Sequence, residues 1–236
     1  KDDLFPERTS ELIFFENMMG IFFSGRDLTD EVFGELGSDV RVVVARQQYE
    51  DGPSEPELKL PAAAFVFRMK NPEKFAIVME EAWQKAIGLV NFTSGQKAQP
   101  GMIIDRPIYN GTKYTVARFA PPANSGSEEN ANDENSSRYN FAPSLAMKDG
   151  YVVLASTEKV ACDVMDAIGK EAAGDSGPVS GSEILVDFSV TELAGLLDEN
   201  RESMIRQNMV KEGNSRDKAE ADIANLIAVA KLIGRM

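Results

Sequence analysis

Leu12, Phe15, Met19, Phe22 and Phe23 recur at helical spacing and predict a short amphipathic helix over residues 10–23. LTDEVFGEL (28–36) reads as another short helix, closed by Gly37. RVVVARQQYE (41–50) and AAAFVFRMK (62–70) read as strands, with DGPSEPE as a turn-rich loop between them. The apolar density of the second strand predicts that both of its faces are largely covered. NPEKFAIVMEEAWQKAIGLV (71–90) is the clearest helix. Asn71 is placed to cap it and Pro72 to occupy its first position, where a missing N–H costs nothing. Phe75, Val78, Met79, Ala82, Trp83, Ala86, Leu89 and Val90 form its apolar stripe, opposite Glu80, Glu81, Gln84 and Lys85.

Two strands within 102–119 meet at Asn110-Gly111, a strong short hairpin signal. A second hairpin over 141–157 turns at Lys148-Asp149-Gly150. Ser156 or Thr157 caps the helix that follows, whose stripe is Val160, Ala161, Val164, Ala167 and Ile168. Residues 120–138 lack apolar periodicity and read as a mobile acidic loop, and 169–182 as a further loop. ILVDFSV (184–190) reads as a strand, and Thr191 as the cap of a helix to about Lys211. After a break at Gly213–Ser215 a last helix runs to the end, so 191–236 is a C-terminal helical segment.

A weak repeat joins three of these regions: an apolar strand, a polar corner with a cap, then an amphipathic helix. Short connections between successive strands disfavour parallel crossovers. The expectation is a single α+β domain over 1–236, with a mostly antiparallel sheet of hairpins and strand–helix corners and helices packed on one face. The chain begins at Lys1 and stops inside an apolar helical pattern, which reads as an excised part of a longer protein. It contains no run of 18 apolar residues, so no transmembrane segment is expected within it.

Composition narrows the chemistry. The 236 residues are 43% hydrophobic, enough for a core without staples. Lys and Arg total 25 against 38 Asp and Glu, for a net charge of −13, which argues against nucleic-acid partners and anionic membrane surfaces. Histidine is absent and cysteine occurs once. That removes Ser-His-Asp and Cys-His relays, His-containing metal sites, intrachain disulfides and Cys-based clusters. Glycine-rich phosphate loops are lacking too.

LPAAAFVFRMKNPEKFAIVMEEAWQKAIGLVNF (60–92) and YNFAPSLAMKDGYVVLASTEKVACDVMDAI (139–168) resemble a family of uncharacterised bacterial proteins, common in planctomycetes and usually predicted to be exported or membrane-tethered. The shared phrases are N-P-E-K-F after an apolar strand, and D-G-Y-V-V-L-A-S-T-E. They supply caps, turns and core positions, and they carry no catalytic residues to transfer. The resemblance implies an extracytoplasmic or envelope setting, reached through flanks beyond this fragment.

Candidate chemistry then reduces to a few groups. Glu80-Glu81 and Asp163/Asp166 are paired carboxylates on helix faces predicted to be solvated, where general acid–base work lacks a cleft. Glu128, Glu129, Asp133 and Glu134 lack the spacing of a calcium loop. Ser156–Lys159 matches S-x-x-K, but Ser94–Lys97 and Ser215–Lys218 match as well, and K-T-G and S-D-N are missing. Cys162 reads as a small filler beside Asp166. Phe14, Phe15, Phe22 and Phe23 read as core. Asn91, Asn110 and Asn135 head glycosylation-type triplets.

No catalytic, cofactor-binding or metal-binding residue is assigned, and no cofactor is expected. The leading expectation is a non-catalytic extracytoplasmic binding or scaffolding domain with a protein or envelope partner. An apolar-ligand or lipid carrier is the first alternative. A hydrolase working through carboxylates alone is the second.

Overall fold

The computed structural model describes residues 9–49, 56–119, 137–175 and 189–233. The expected acidic loop, apart from 137–138, and the expected strand over 184–190, apart from its last two residues, lie outside that set. The chain divides into two compact units. The first holds Lys1–Val43, Ala64–Ala123 and Ala142–Ala173; the second holds Val44–Ala63, Asn124–Phe141 and Gly174–Met236.

The fold is α+β, built on a seven-stranded antiparallel sheet. Helix α1 spans Thr9–Phe22. The strands are β1 (Leu36–Ala45), β2 (Ala62–Met69), β3 (Met102–Asp105), β4 (Ile108–Tyr109), β5 (Thr112–Phe119), β6 (Ser144–Lys148) and β7 (Tyr151–Ala155). They lie in the order β1-β2-β7-β6-β5-β3, and β4 pairs with β5. Helix α2 (Pro72–Gln96) joins β2 to β3 at the far edge. Its 25 residues extend roughly 37 Å, ample to cross the four strand spacings between them. Helix α3 (Glu158–Ala172) follows β7.

Strand register sorts the side chains onto two faces. Leu145 of β6, Val152 of β7, Ala117 of β5 and Met69 of β2 share one face, and they pack with Phe75, Val78, Met79, Trp83 and Ile87 of α2. The alternate positions Val66, Val116, Ala146 and Val153 point the other way and are equally buried. There α3 packs on β6 and β7, presenting Val160, Ala161, Val164, Met165 and Ile168. Helices therefore cover both faces of the sheet, not one. The cause is visible in β6 and β7, which carry apolar residues on both sides and need two covers.

Both hairpins turn where the sequence places them. Asn110 and Gly111 have φ of 45° and 76°, and Asp149 and Gly150 have 47° and 82°, the left-handed pairs of tight antiparallel turns. Thr157 caps α3 by accepting a hydrogen bond from the Val160 N–H.

Other boundaries differ, each for a local reason. Residues 28–35 form a wide helical turn and then a tight one, capped by the Asp27 carboxylate, and β1 begins at Leu36 rather than at 41. Gly37 is no helix stop. It lies inside β1 where a Cβ would come within 3.2 Å of the Arg68 Cβ, a tight approach of β1 to β2 that glycine meets without displacing its neighbour. β2 is covered on one face at Ala62, Ala64 and Val66 and on the other at Phe67 and Met69, and the cover gives out at Phe65, which stays 48% exposed.

Asn71 makes no side-chain cap bond, and α2 continues to Gln96. Its buried stripe ends at Ile87, leaving Leu89 and Val90 exposed; the next residue to reach the sheet is Asn91. On α3 Met165 is buried and Ala167 exposed, the reverse of the expected stripe.

In the second unit the described residues form α4 (Val190–Glu199), α5 (Arg201–Glu212) and α6 (Arg216–Ile233). Ser189, not Thr191, caps α4 by accepting from the Glu192 N–H. Val190 is helical and not the end of a strand. The helix stops at Asn200 instead of Lys211, and the Asn200 side chain donates back to the Leu196 carbonyl while it also serves a distant segment. It accepts from the Lys59 N–H at 2.7 Å and donates to the Lys59 carbonyl at 2.8 Å. Ile205, Ala219, Ile223 and Ile227 make the small core of these helices.

Candidate binding surface

At the β1 margin the sheet presents two unlike faces. Tyr151 of β7 lies on one of them, with the guanidinium carbons of Arg41 and Arg68 at 5.0 and 5.4 Å from its ring centre. The phenol donates to Asp39 at 2.8 Å and accepts from Arg41 at 3.1 Å and from Arg68 at 3.2 Å. Arg41 forks onto Asp39 through Nε and Nη2, and onto Glu171 of α3 through Nη1 and Nη2. The hydrogen bond from Arg41 holds the Asp39 and Glu171 carboxyls below their ordinary range. Burial, and then Asp39, pushes the Tyr151 phenol up. The cluster is thus two carboxylates, two guanidiniums and a neutral phenol, with no group poised to exchange a proton near neutrality.

The other face of the margin is apolar. The Lys70 N–H donates to the Glu35 carbonyl, and Gly37 lies against Arg68. These contacts set β1 antiparallel to β2 with Val40 beside Phe65. Val40 is 54% exposed and Val42 60%, and the Phe65 ring stacks on Phe67 at 6.5 Å.

The candidate residues from the sequence do not converge. Glu81 accepts from Ser24, Arg26 and Lys85, which lower its carboxyl to about 2. Asp163 pairs with Lys159 at 2.6 Å, while Asp166 accepts from Tyr109 and Asn110 at 2.8 and 2.9 Å and is lowered by them. Lys159 is held protonated by Asp163, so it is no base for Ser156, and Thr157 is the cap. Burial raises the Cys162 thiol, against nucleophilic use.

Glu158 receives the Tyr114 phenol at 2.5 Å and is gripped by Arg118, which also holds Asp105 at 2.8 Å. Phe14 and Phe15 are not core: they are 66% and 48% exposed, because α1 joins the core through its C-terminal end at Phe23. Glu128, Glu129, Asp133, Glu134 and Asn135 lie outside the described residues. Among the described residues no three His, Cys, Asp or Glu side chains gather as a metal site would require, and no helix is long and apolar enough to cross a membrane.

Two asparagines escape sequence reasoning altogether. Buried Asn140 accepts from the Leu60 N–H and the Tyr49 phenol, and donates to the Leu58 and Ser137 carbonyls. Burial pushes that phenol up to about 12. Asn200 serves Lys59 in the same manner. Both are side chains standing in for a strand partner, a role with no periodicity to betray it. Asn91, singled out only as a glycosylation triplet, does likewise for Met102: it accepts from that N–H at 2.6 Å and donates to that carbonyl at 3.0 Å. Gly101 makes room, since a Cβ there would come within 2.8 Å of the Asn91 Oδ1.

No protein-family model, curated protein or solved structure matches the chain.

Proposed function

We propose that the chain is a non-catalytic binding or scaffolding domain that works outside the cytoplasm. One observation carries the non-catalytic reading. Among the described residues, every carboxyl whose pKa departs from its ordinary value departs downward: Asp39, Glu81, Asp166, Glu171 and Asp198. A general acid built from a carboxyl needs the opposite shift, which burial or a like charge supplies. Here guanidinium, ammonium, hydroxyl and amide donors hold these carboxyls ionised, as suits a surface that recognises or braces. The extracytoplasmic setting is supported by the resemblance of residues 60–92 and 139–168.

The test is a panel of chromogenic esters, phosphoesters and glycosides incubated with the 236-residue chain across acidic to alkaline pH. No turnover above buffer is expected. Turnover that Glu158→Gln or Asp166→Asn abolishes, while the fold is retained by circular dichroism, would overturn the reading in favour of a carboxylate hydrolase.

A further inference from the structure

The β1 edge has a backbone and a charge pattern that match themselves. In an antiparallel ladder a residue turns both its N–H and its C=O either toward its neighbour strand or away from it. The bond from the Lys70 N–H to the Glu35 carbonyl directs Glu35, Gly37, Asp39 and Arg41 toward β2. The bond from the Met69 N–H to the Gly150 carbonyl agrees, directing the alternate residues of β2 toward β7. Ser38, Val40 and Val42 therefore turn their N–H and C=O groups outward from β1, the last strand of the sheet among the described residues.

Edges of this kind are normally blunted by Lys, by Pro or by a charge on the apolar side. Leu36–Ala45 contains neither Lys nor Pro, and its only charges, Asp39 and Arg41, lie on the Tyr151 face. The opposite face carries exposed Val40 and Val42 with Phe65 behind them.

We propose that β1 is a homodimerisation strand: a second copy of this chain adds its own β1 antiparallel to this one across a two-fold axis at Val40. Charge favours this register over the two centred one residue away. Centred on Val40, the pairing sets Asp39 of each copy opposite Arg41 of the other, twice, and Ser38 opposite Val42. Centred on Asp39 it would oppose two carboxylates, and centred on Arg41 two guanidiniums; like charges directly opposite destabilise a strand pair. In the Val40 register the outward N–H and C=O groups of Ser38, Val40 and Val42 meet one another, and the valines form one apolar row across the axis. The interface is isologous, so it closes at two copies. The inference rests on backbone direction and charge order; an enzymatic activity found in the reporter panel would leave it intact.

The experiment is sedimentation equilibrium of the 236-residue chain over a wide concentration range, with the variants Val40→Pro and Val42→Lys. Proline at 40 removes an N–H that the chain's own sheet does not use, and lysine at 42 puts a charge in the apolar row. A wild-type dimer is expected, with its Kd raised by roughly tenfold or more in each variant while circular dichroism and the melting curve of the dissociated chain stay the same. A chain that is monomeric throughout overturns the proposal, as does a dimer that both folded variants retain unweakened. Should Val40→Pro fail to fold, Val42→Lys decides, because its position is open to solvent in the single chain.

Discussion

On β6 and β7 an aliphatic side chain is covered whichever way it points, by α2 on one face and by α3 on the other. On β1 the side chains of Val40, Val42 and Val44 stand in solvent, and those of Asp39 and Arg41 are held in a polar cluster. The residue types are similar; the covers differ. Stability in the first unit is therefore concentrated at the sheet centre, while the margin keeps its surface available for contact.

The largest effect should come from emptying that centre. Phe75 is 1% exposed beneath α2, so Phe75→Ala is expected to cost about 3–5 kcal/mol in urea denaturation, while Phe65→Ala at the margin costs less than about 1 kcal/mol. Equal costs would break the distinction between the two regions. Next, Gly150→Ala is expected to cost about 1–2 kcal/mol at the β6–β7 turn. An added Cβ there meets nothing within 4 Å, so the cost is that of a left-handed φ alone. Thr157→Ala removes the α3 cap and is expected to cost about 1 kcal/mol, read as a lowered thermal midpoint.

The smallest effect belongs to the margin and depends on pH. Arg41 lowers the Asp39 and Glu171 carboxyls from ordinary values of 3.8 and 4.5. Depressed carboxyls stabilise the fold above their unfolded values, and that stabilisation fades as pH falls through the folded ones. Partial exposure and salt screening keep it small. Wild type should thus exceed Arg41→Met in urea midpoint at neutral pH, and the gap should close on acidification below 4.5 and then 3.8. A gap that is constant with pH would assign Arg41 a packing role alone.

What the sequence disclosed follows the reach of each signal. Asn110-Gly111 and Asp149-Gly150 announced their turns because left-handed backbone is demanded there and nothing distant competes. The α2 stripe is legible as far as Trp83; beyond it Ile87, outside the expected stripe, is the buried residue, Ala86 is half-buried, and Leu89 and Val90 keep the period but lose the sheet. Gly37 looks like a helix stop in the sequence, whereas its close approach to Arg68 is a fact of tertiary structure. The second cover of the sheet has its signal in the chain: Tyr151–Ala155 is an unbroken apolar run, which places apolar side chains on both sides of β7, and both sides are buried. The β1 margin has no such signal: Asp39, Arg41, Arg68, Tyr151 and Glu171 come from four separate stretches of chain.

The order of strands also sets a timetable. β2 has β1 on one side from the start, but its other neighbour is β7, which the ribosome delivers only after α2 and four more strands. At about 5–20 residues per second that delay is about four to seventeen seconds, during which Val66 and Phe67 lack their lasting neighbours. A nascent chain in this condition exposes an unpaired edge of β2, and the pairing of β2 with β7 is among the last to become possible.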